Sequence, residues 1–486
     1  VAAMLGASEG LLAQNTAAYL SGLGFTALTS AVLQVMLSFT RVDNAPVIGL
    51  VSIVVMGVSA ACFDLIAILV FHAGMFGMGL ATTAAYGLAF LVSTTHFFKK
   101  KNTLRLQNPL PHMHVIFLIL KTGLPESLTR LTGMLRSFIF NNLLLMVAGS
   151  AAVAALSMLT SVNSFVSSVS IGAGQALMLL VAIYFGEENL SGIKGTFKVA
   201  LRYGVVLCCI VGVATFVFAE SIVSLFGITP DNEAFALGVV AVRAFSLSIP
   251  VELVNCLFVG FFQSTGNIKA ANLVTVGQSC AFMILFALCT VWFIGPFGVW
   301  YSYLFGTCAT LAAQVVAACV LWRRRKVVPG GEKASLLDKM LLLPADFRQD
   351  WVDSKEFSCV TDRRGVVQCS EEVDAWCKSH DIDPRRRFQL SLAVEEMVGN
   401  ILDHGFAKVK HPAVEVFMVL KRDGSMILRI RDNGKAFNPL NYDMAAKDDF
   451  SCLGIKMIRL SIEHLEYQGM VGLNNLNIEL KKPQAL

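Results

Sequence analysis

FTRVDNAPVIGLVSIVVMGVSAACFDLIAILVFHAGMFGMGLATTAAYGLA, Phe39 to Ala89, carries a single charged side chain, Asp64, after Asp43. The run 47–71 meets the ~20 apolar residues that an α-helix needs to cross the hydrocarbon core of a bilayer. A second such run, 74–98, follows after a short turn around His72–Gly77. In hydrocarbon every backbone polar group must be satisfied within the segment, so two long apolar runs separated by a Gly-containing turn predict consecutive membrane helices.

Working outward, similar runs lie near 11–38, 113–147, 151–185, 199–219, 235–262, 269–293 and 297–322, which with the first two gives about nine. The whole chain of 486 residues is 55% hydrophobic and 15% charged, with a mean hydropathy of +0.64, whereas soluble domains are about a quarter charged. The apolar runs end at Arg323, and ordinary soluble composition follows. A polytopic all-α membrane domain over 1–322, a basic linker over 323–339 and a second domain over 340–486 are therefore predicted. Arg41, Lys99 to Arg105, Lys194 and Lys198, Lys269, and Arg323 to Lys326 fall in alternate connections, and the intervening loops carry no Lys or Arg. The positive-inside rule places the basic connections and the second domain in the cytoplasm. The basic residues flank apolar runs rather than forming an aromatic-interleaved patch, so no nucleic-acid partner is predicted. Twelve cysteines are scattered without CxxC or zinc-type spacing, and free thiols are expected.

Charge inside a span is costly unless it faces a cavity or a partner, so each instance is a candidate functional group. Asp64, Lys121, Glu126, Arg130, Arg136, Arg243 and Glu252 qualify. Glu126 and Arg130 are spaced i,i+4, near enough to pair on one helix face. A structural ion pair and a transport role are both compatible with that spacing. Asp64, well inside its run, suits a cavity-facing or proton-linked group. A satisfied structural contact is the alternative.

The stretch from Phe39 to Ala89, with a polar loop, an Asp in the next helix and a Gly-rich turn into ATT, resembles the fourth-to-sixth-helix region of the multidrug and toxic-compound extrusion (MATE) family. GLPESLTRLTGMLRSFIFNNLLL from Gly123, followed by SSVSIGAGQALMLLVAIYFGEEN, is similar to the start of that family's second half. The resemblance covers about residues 10–322 and implies twelve helices in two bundles and export of drugs or metabolites in exchange for H⁺ or Na⁺. Only the last nine helices have counterparts here and the chain opens at Val1, so the first three are expected to be missing from this stretch, together with the family's ion-linked acid in the first helix. Asp64, Glu126 and Arg130 are the transport candidates that carry over.

Past Pro329-Gly330-Gly331 the pattern becomes mixed. RRRFQLSLAVEEMVGNILDHG (385–405) places Phe388, Leu392, Val394 or Glu395, Val398 and Leu402 at helical spacing, and the runs 413–420 and 425–432 flank Asp423-Gly424 as a β-hairpin should. An α+β domain follows. Glu396, Asn400 and His404 stack on one helix face. A carboxylate one turn from a carboxamide can hold magnesium, directly or through water, and orient a nucleophile beside a phosphate; a solvated polar face is the alternative. Asp432, closing a strand two residues before Gly434, could accept from an adenine amino group, and Gly454 opens a helix whose amides could approach phosphates.

Taken in order, ExxxNxxxHG, DxGxxFxP and a Gly opening a helix resemble the GHKL (Bergerat) ATP-binding sandwich of histidine kinases and gyrase. LAVxExxxNxxxHG, matched by Leu392-Ala393-Val394, Glu396, Asn400, His404 and Gly405, is most similar to anti-sigma-factor serine kinases. The resemblance implies ATP and Mg²⁺ as cofactors, with Glu396 catalytic or water-orienting, Asn400 on the metal, Asp432 and Gly434 at the adenine, and Gly454 near the phosphates. His404 belongs to the same set. Two departures stand out: Ser451-Cys452 where a lid glycine is usual, and Asn475 where a Thr is common. The absence of a Walker GxxxxGK[ST] loop argues against a primary ATP-driven pump. Two functions remain open. One is an ion-coupled efflux antiporter of the bacterial plasma membrane, whose ATP-binding domain regulates it or phosphorylates a STAS-type anti-anti-sigma protein, or engages a sigma factor. The other is a membrane-tethered signalling protein with a transporter fold as sensor.

Overall fold

The computed structural model describes residues 10–43, 45–98, 102, 112–324, 335–344, 347–359, 362–406, 409–438, 464–470 and 472–480. Four helices come first: α1 (Gly10–Leu23), α2 (Thr26–Val42), α3 (Pro46–Leu69) and α4 (Gly74–Thr94). Pro46 sits at the first turn of α3, where its missing N–H costs nothing. The Thr26 and Thr83 hydroxyls lie 2.6 Å apart between α2 and α4. At one end His96, in the turn after α4, holds Asp43 at the C-cap of α2 (Nε2 to Oδ2, 2.6 Å), with both side chains buried.

Residues 108–349 form a compact unit. It begins with α5 (Met113–Gly186), whose helical dihedrals break at Gly149 (φ 70°, ψ −163°). Only glycine reaches that backbone region without strain, so Gly149 divides α5 into two arms at the boundary expected between 113–147 and 151–185. Then come α6 (Leu190–Val217), α7 (Ala219–Leu225), α8 (Glu233–Ser246), α9 (Ile249–Ser264), α10 (Ile268–Val276), α11 (Phe282–Ile294) and α12 (Phe297–Arg324). Among the described residues seven helices are long and apolar enough to cross a membrane, or eight when the bent pair α8–α9 counts as one span, and counting the arms of α5 separately gives the nine expected runs. Close backbone approach replaces hydrophobic drive between membrane helices: a Cβ on Gly260 of α9 would sit 2.5 Å from the Gly174 carbonyl oxygen of α5. Phe165, Leu207, Leu273 and Phe293 remain exposed, as suits side chains that meet lipid.

A short helix, α13 (Leu336–Met340), follows with a Ser335/Asp338 capping box. Composition assigned residues from 340 onward to the second domain. Met340, Leu341, Leu343 and Phe347 are instead buried in the helical core of unit 108–349, and the boundary lies at 349/350.

The C-terminal domain contains β1 (Trp351–Cys359), α14 (Arg363–Ser379), α15 (Pro384–Asn400), β2 (Val414–Lys421), β3 (Met426–Asp432), β4 (His464–Met470) and β5 (Leu473–Leu480). The strands pair antiparallel in the order β1-β2-β3-β5-β4. The expected hairpin turns at Asp423-Gly424, where Gly424 has φ 82° and Asp423 accepts from the Ser425 amide and hydroxyl. Val416, Met418, Leu428, Ile430 and Ile478 point to one face and pack against Val373, Leu390, Ala393, Val394 and Val398 of the two helices, giving the two-layer α+β sandwich. The apolar stripe of α15 is Leu390-Ala393-Val394-Met397-Val398, whereas Phe388, expected on that stripe, is 62% exposed. At 3.6 residues per turn Phe388 lies on the side of the helix opposite Leu390 and Met397, so burying that stripe turns Phe388 outward.

Candidate functional site

In the C-terminal domain Glu396 and Asn400 lie one turn apart on α15, both half-buried. The α-helix stops at Asn400 and continues as a π-helical turn, Ile401–Gly405, a geometry that recurs at functional sites. His404 is in that turn and exposed, so it leaves the strict i, i+8 stack expected for it. Asp403 of the turn contacts the Arg363 guanidinium at the start of α14.

The turn meets the end of β3. The Lys435 amide donates to the Gly405 carbonyl (2.8 Å). Asp432, 6% exposed, accepts at Oδ1 from the Gly434 amide (2.7 Å) and from Asn474 Nδ2 (2.8 Å). Burial pushes the Asp432 carboxyl above its ordinary range, and those two donors offset part of the rise. A Cβ on Gly434 would come within 2.9 Å of Asp432 Oδ1 and 3.0 Å of the Gly405 oxygen, so no side chain fits there. Gly434→Ala is expected to weaken Mg-ATP binding by the full chain about tenfold or more while the thermal midpoint moves by only a few degrees; calorimetry beside thermal unfolding checks it, and unchanged affinity would remove Gly434 from the site.

Asn474 escaped the sequence reading, which singled out Asn475. Register decides the matter: Asp432 pairs with Asn474 across β3–β5, and side chains alternate faces along a strand. Asn474 also donates to the Gly434 carbonyl (3.1 Å) and accepts from the Tyr467 hydroxyl (2.8 Å). Its signal in the sequence was the period-two alternation Asn474, Leu476, Ile478, Leu480.

Asn400 Nδ2 is buried without a hydrogen-bond partner among the described residues. A carboxamide can present its oxygen or its nitrogen, and an unsatisfied one beside the turn fits a ligand. Among the described residues no group of three or more His, Cys, Asp or Glu is arranged for a metal. Gly454, Ser451 and Cys452 lie outside the described residues. Cys377, at the α14 end of the core, is no reactive thiol, since burial pushes it up to about 12.

In the helical units the candidates separate. Asp64 on α3 is half-buried, and its Oδ1 is shielded without a partner among the described residues. Glu126 is on the first arm of α5, with its side chain outside the described residues, and Arg130 is exposed. Arg243 pairs with Glu220 (3.1 Å) where both are exposed, a pair worth ~0–1 kcal/mol. Arg136 donates to Met283 Sδ (3.3 Å) and lies over the Tyr303 ring (5.3 Å). Glu252 on α9 bonds Ser167 and feels the charge of Arg136. Nearby on the same helix Asn255 bonds the Thr307 carbonyl and Gln314 (2.7 Å). Gln278, in a π-helical turn between α10 and α11, has a buried oxygen without a donor among the described residues. Glu252 and Arg136 come from segments 116 positions apart, a closeness that only tertiary packing supplies.

The model of the MatE family matches residues 125–289, and that of the histidine kinase-like ATPase domain matches residues 361–478. Multidrug export protein MepA of Staphylococcus haemolyticus is 26% identical over 309 residues, covering 63% of this chain and 66% of that protein. Multidrug resistance protein NorM of Aliivibrio fischeri is 24% identical over 269 residues, 52% of this chain and 56% of that protein. The chain thus spans less than two thirds of the length of either relative. Among solved structures, an outward-facing multidrug resistance MATE transporter superposes with a TM-score of 0.59 at 19% identity, covering 65% of this chain and 70% of that one. A transporter of the MOP superfamily from Pyrococcus furiosus gives 0.51 at 17% identity over 64% and 76%. With the helical architecture and the Asp432 network already described, these likenesses identify a transporter domain of the MATE family joined in one chain to a C-terminal histidine kinase-like ATPase domain.

Proposed function

We propose that the protein is an ion-coupled exporter of small organic molecules, with H⁺ or Na⁺ as the coupling ion, whose C-terminal domain binds Mg-ATP and regulates export. Asp64 carries the export reading: a carboxylate inside a span, with a shielded oxygen that has no partner among the described residues, is costly in hydrocarbon unless it faces a cavity or a partner, and a cation exchanged during the cycle supplies one. Glu126 and Arg130 remain transport candidates beside it. The charge parity of the loops supports a bacterial plasma-membrane protein with the ATPase domain in the cytoplasm.

In the ATPase domain Asp432 and Gly434 take the adenine, Asn400 holds Mg²⁺, the exposed His404 belongs to the same set, and Gly454, outside the described residues, is assigned to the phosphates by the sequence motif alone. Bound ATP supplies a transferable phosphoryl group, and Glu396 is the carboxylate to accept the proton of an attacking hydroxyl. That assignment extends to Ser/Thr phosphorylation of a STAS-type partner or control of a sigma factor.

Ethidium efflux from proteoliposomes separates the readings. Efflux driven by an imposed H⁺ or Na⁺ gradient, and altered in rate by Mg-ATP, is the expected result. A chain that binds Mg-ATP but moves no ethidium under either gradient would instead be a sensor with a transporter fold.

A further inference from the structure

The segment between the last membrane helix and the first strand of the ATPase domain has the composition of a linker at its start, yet its end is packed. Ser335 and Asp338 cap α13 reciprocally, and Lys194 near the start of α6 meets Asp338 at 2.6 Å. Burial alone would raise the Asp338 carboxyl, but the bonds from Lys194 and Ser335 outweigh it and hold the group below its ordinary range. Beyond α13, Phe347 stacks on Phe185 at the end of α5 (5.6 Å between centroids, 16° between planes). Arg348 Nε donates to the Glu188 carbonyl at 2.7 Å. The receiving turn, between Gly186 and Leu190, is closed on its far side by Asn189, whose side chain caps α6.

Backbone geometry agrees with the packing. Glu188 (φ 53°), Leu342 (φ 44°) and Arg348 (φ 61°) are non-glycine residues in the left-handed region, a conformation that persists only where surrounding contacts over-determine it. A tether selected for slack would be rich in Gly and Ser and would bury nothing. Arg348 is fastened to Glu188, while the carbonyl of Asp350 accepts from the Arg422 amide beside the β2–β3 hairpin (2.7 Å). Only Gln349 separates the two anchors in sequence.

We propose that residues 335–344 and 347–349 act as a coupling clamp: an intrachain docking surface at the α5–α6 turn grips the chain immediately before β1 and links nucleotide occupancy to cargo occupancy. The inference rests on the nucleotide and export readings above. Any rearrangement of the ends of α5 and α6 during transport changes what Lys194, Phe185 and Glu188 offer the clamp. The clamp's differential affinity for those arrangements then reaches the first strand of the ATPase domain through one residue. Coupling of this kind is reciprocal, so nucleotide must shift cargo affinity by the same factor as cargo shifts nucleotide affinity.

The test measures binding of a non-hydrolysable ATP analogue with Mg²⁺ to the full chain in lipid nanodiscs, with and without saturating ethidium, and the reverse titration. In the parent each ligand is expected to shift the other's affinity by the same factor, about fivefold or more. Two variants are compared: Phe347→Ala with Arg348→Ala, which removes the grip, and a short Gly-Ser insert between Gln349 and Asp350, which leaves the grip intact and adds slack. Both are expected to bring the factor to about one with each separate affinity within about twofold of the parent, the loss of linkage expected when an intervening element is uncoupled. The insert keeps the test decisive should the double substitution fail to fold. A factor retained in the insert variant, or a parent that binds both ligands with no mutual effect, overturns the clamp. A parent that binds no nucleotide even without ethidium overturns the ATP-site reading itself, and the clamp's role falls with it.

Discussion

Asp432→Ala is expected to weaken Mg-ATP binding by the full chain about 100-fold. Deleting an ionised acceptor costs ~1.5–3 kcal/mol for the bond it makes, and a factor of 10 is ~1.4 kcal/mol. The substitution also strands Asn474 Nδ2 and the Gly434 amide, both of which donate to Asp432 Oδ1. Asp432→Asn separates the parts. Its oxygen can still accept from those two donors, so the domain keeps its fold, but the charge that would hold an adenine amino group is gone. The pH dependence has a defined sign. Burial raises the Asp432 pKa in the folded domain, so the ionised form carries a stability cost above that pKa, and the cost is relieved as pH falls through it. ATP affinity runs the other way, because protonation turns an acceptor into a donor. Affinity should therefore drop as pH falls through the raised pKa, while Asp432→Asn shows no such step and is at least as stable as the parent at neutral pH. Calorimetry across pH with a thermal-unfolding series reads both. Parent-like affinity in Asp432→Ala would place the nucleotide elsewhere.

Asp64→Asn is expected to abolish gradient-driven ethidium efflux, by tenfold or more, without lowering stability. A charged carboxylate costs up to ~2.5–3.5 kcal/mol at the centre of a span on insertion scales and less toward its ends; Asp64 lies in the C-terminal half of α3, and its shielded Oδ1 has no donor among the described residues to offset the cost. A neutral amide of the same shape removes that cost together with the exchangeable charge. A purely structural Asp64 predicts the reverse: lower stability, and efflux reduced only in proportion to folded protein. Glu252→Gln is a useful contrast, because Glu252 bonds Ser167 and its charge opposes that of Arg136. Efflux per folded molecule and the unfolding midpoint, measured together, distinguish the two acids.

Much of this was legible from local pattern. The runs around Asp64 announced membrane helices, Asp423-Gly424 announced its hairpin, and the spacing of Glu396 and Asn400 placed them one turn apart on α15. Other features were not. Phe388 turned outward because the apolar residues of α15 allow two faces, and packing against the sheet buries the one that carries Leu390, Val394 and Met397. The last stretch before β1 read as the start of a soluble domain because Leu341, Leu343 and Phe347 look alike whether they bury against a sheet or against membrane helices.

By itself, then, the sequence determined that the first two thirds of the chain hold long apolar helices and that an α+β domain follows. A span must satisfy its own backbone and shed its own charge, and a helix or hairpin declares itself through its repeat, so both properties belong to contiguous residues. Only the tertiary structure decided that Asn474 rather than Asn475 faces Asp432, that Gly405 meets Lys435, that Glu252 lies within the field of Arg136, and that Phe347 and Arg348 grip the α5–α6 turn. Each depends on strand register or on helices that meet across long separations in the chain, and a local periodicity that assigns a residue to one face does not record which distant residue will stand opposite it.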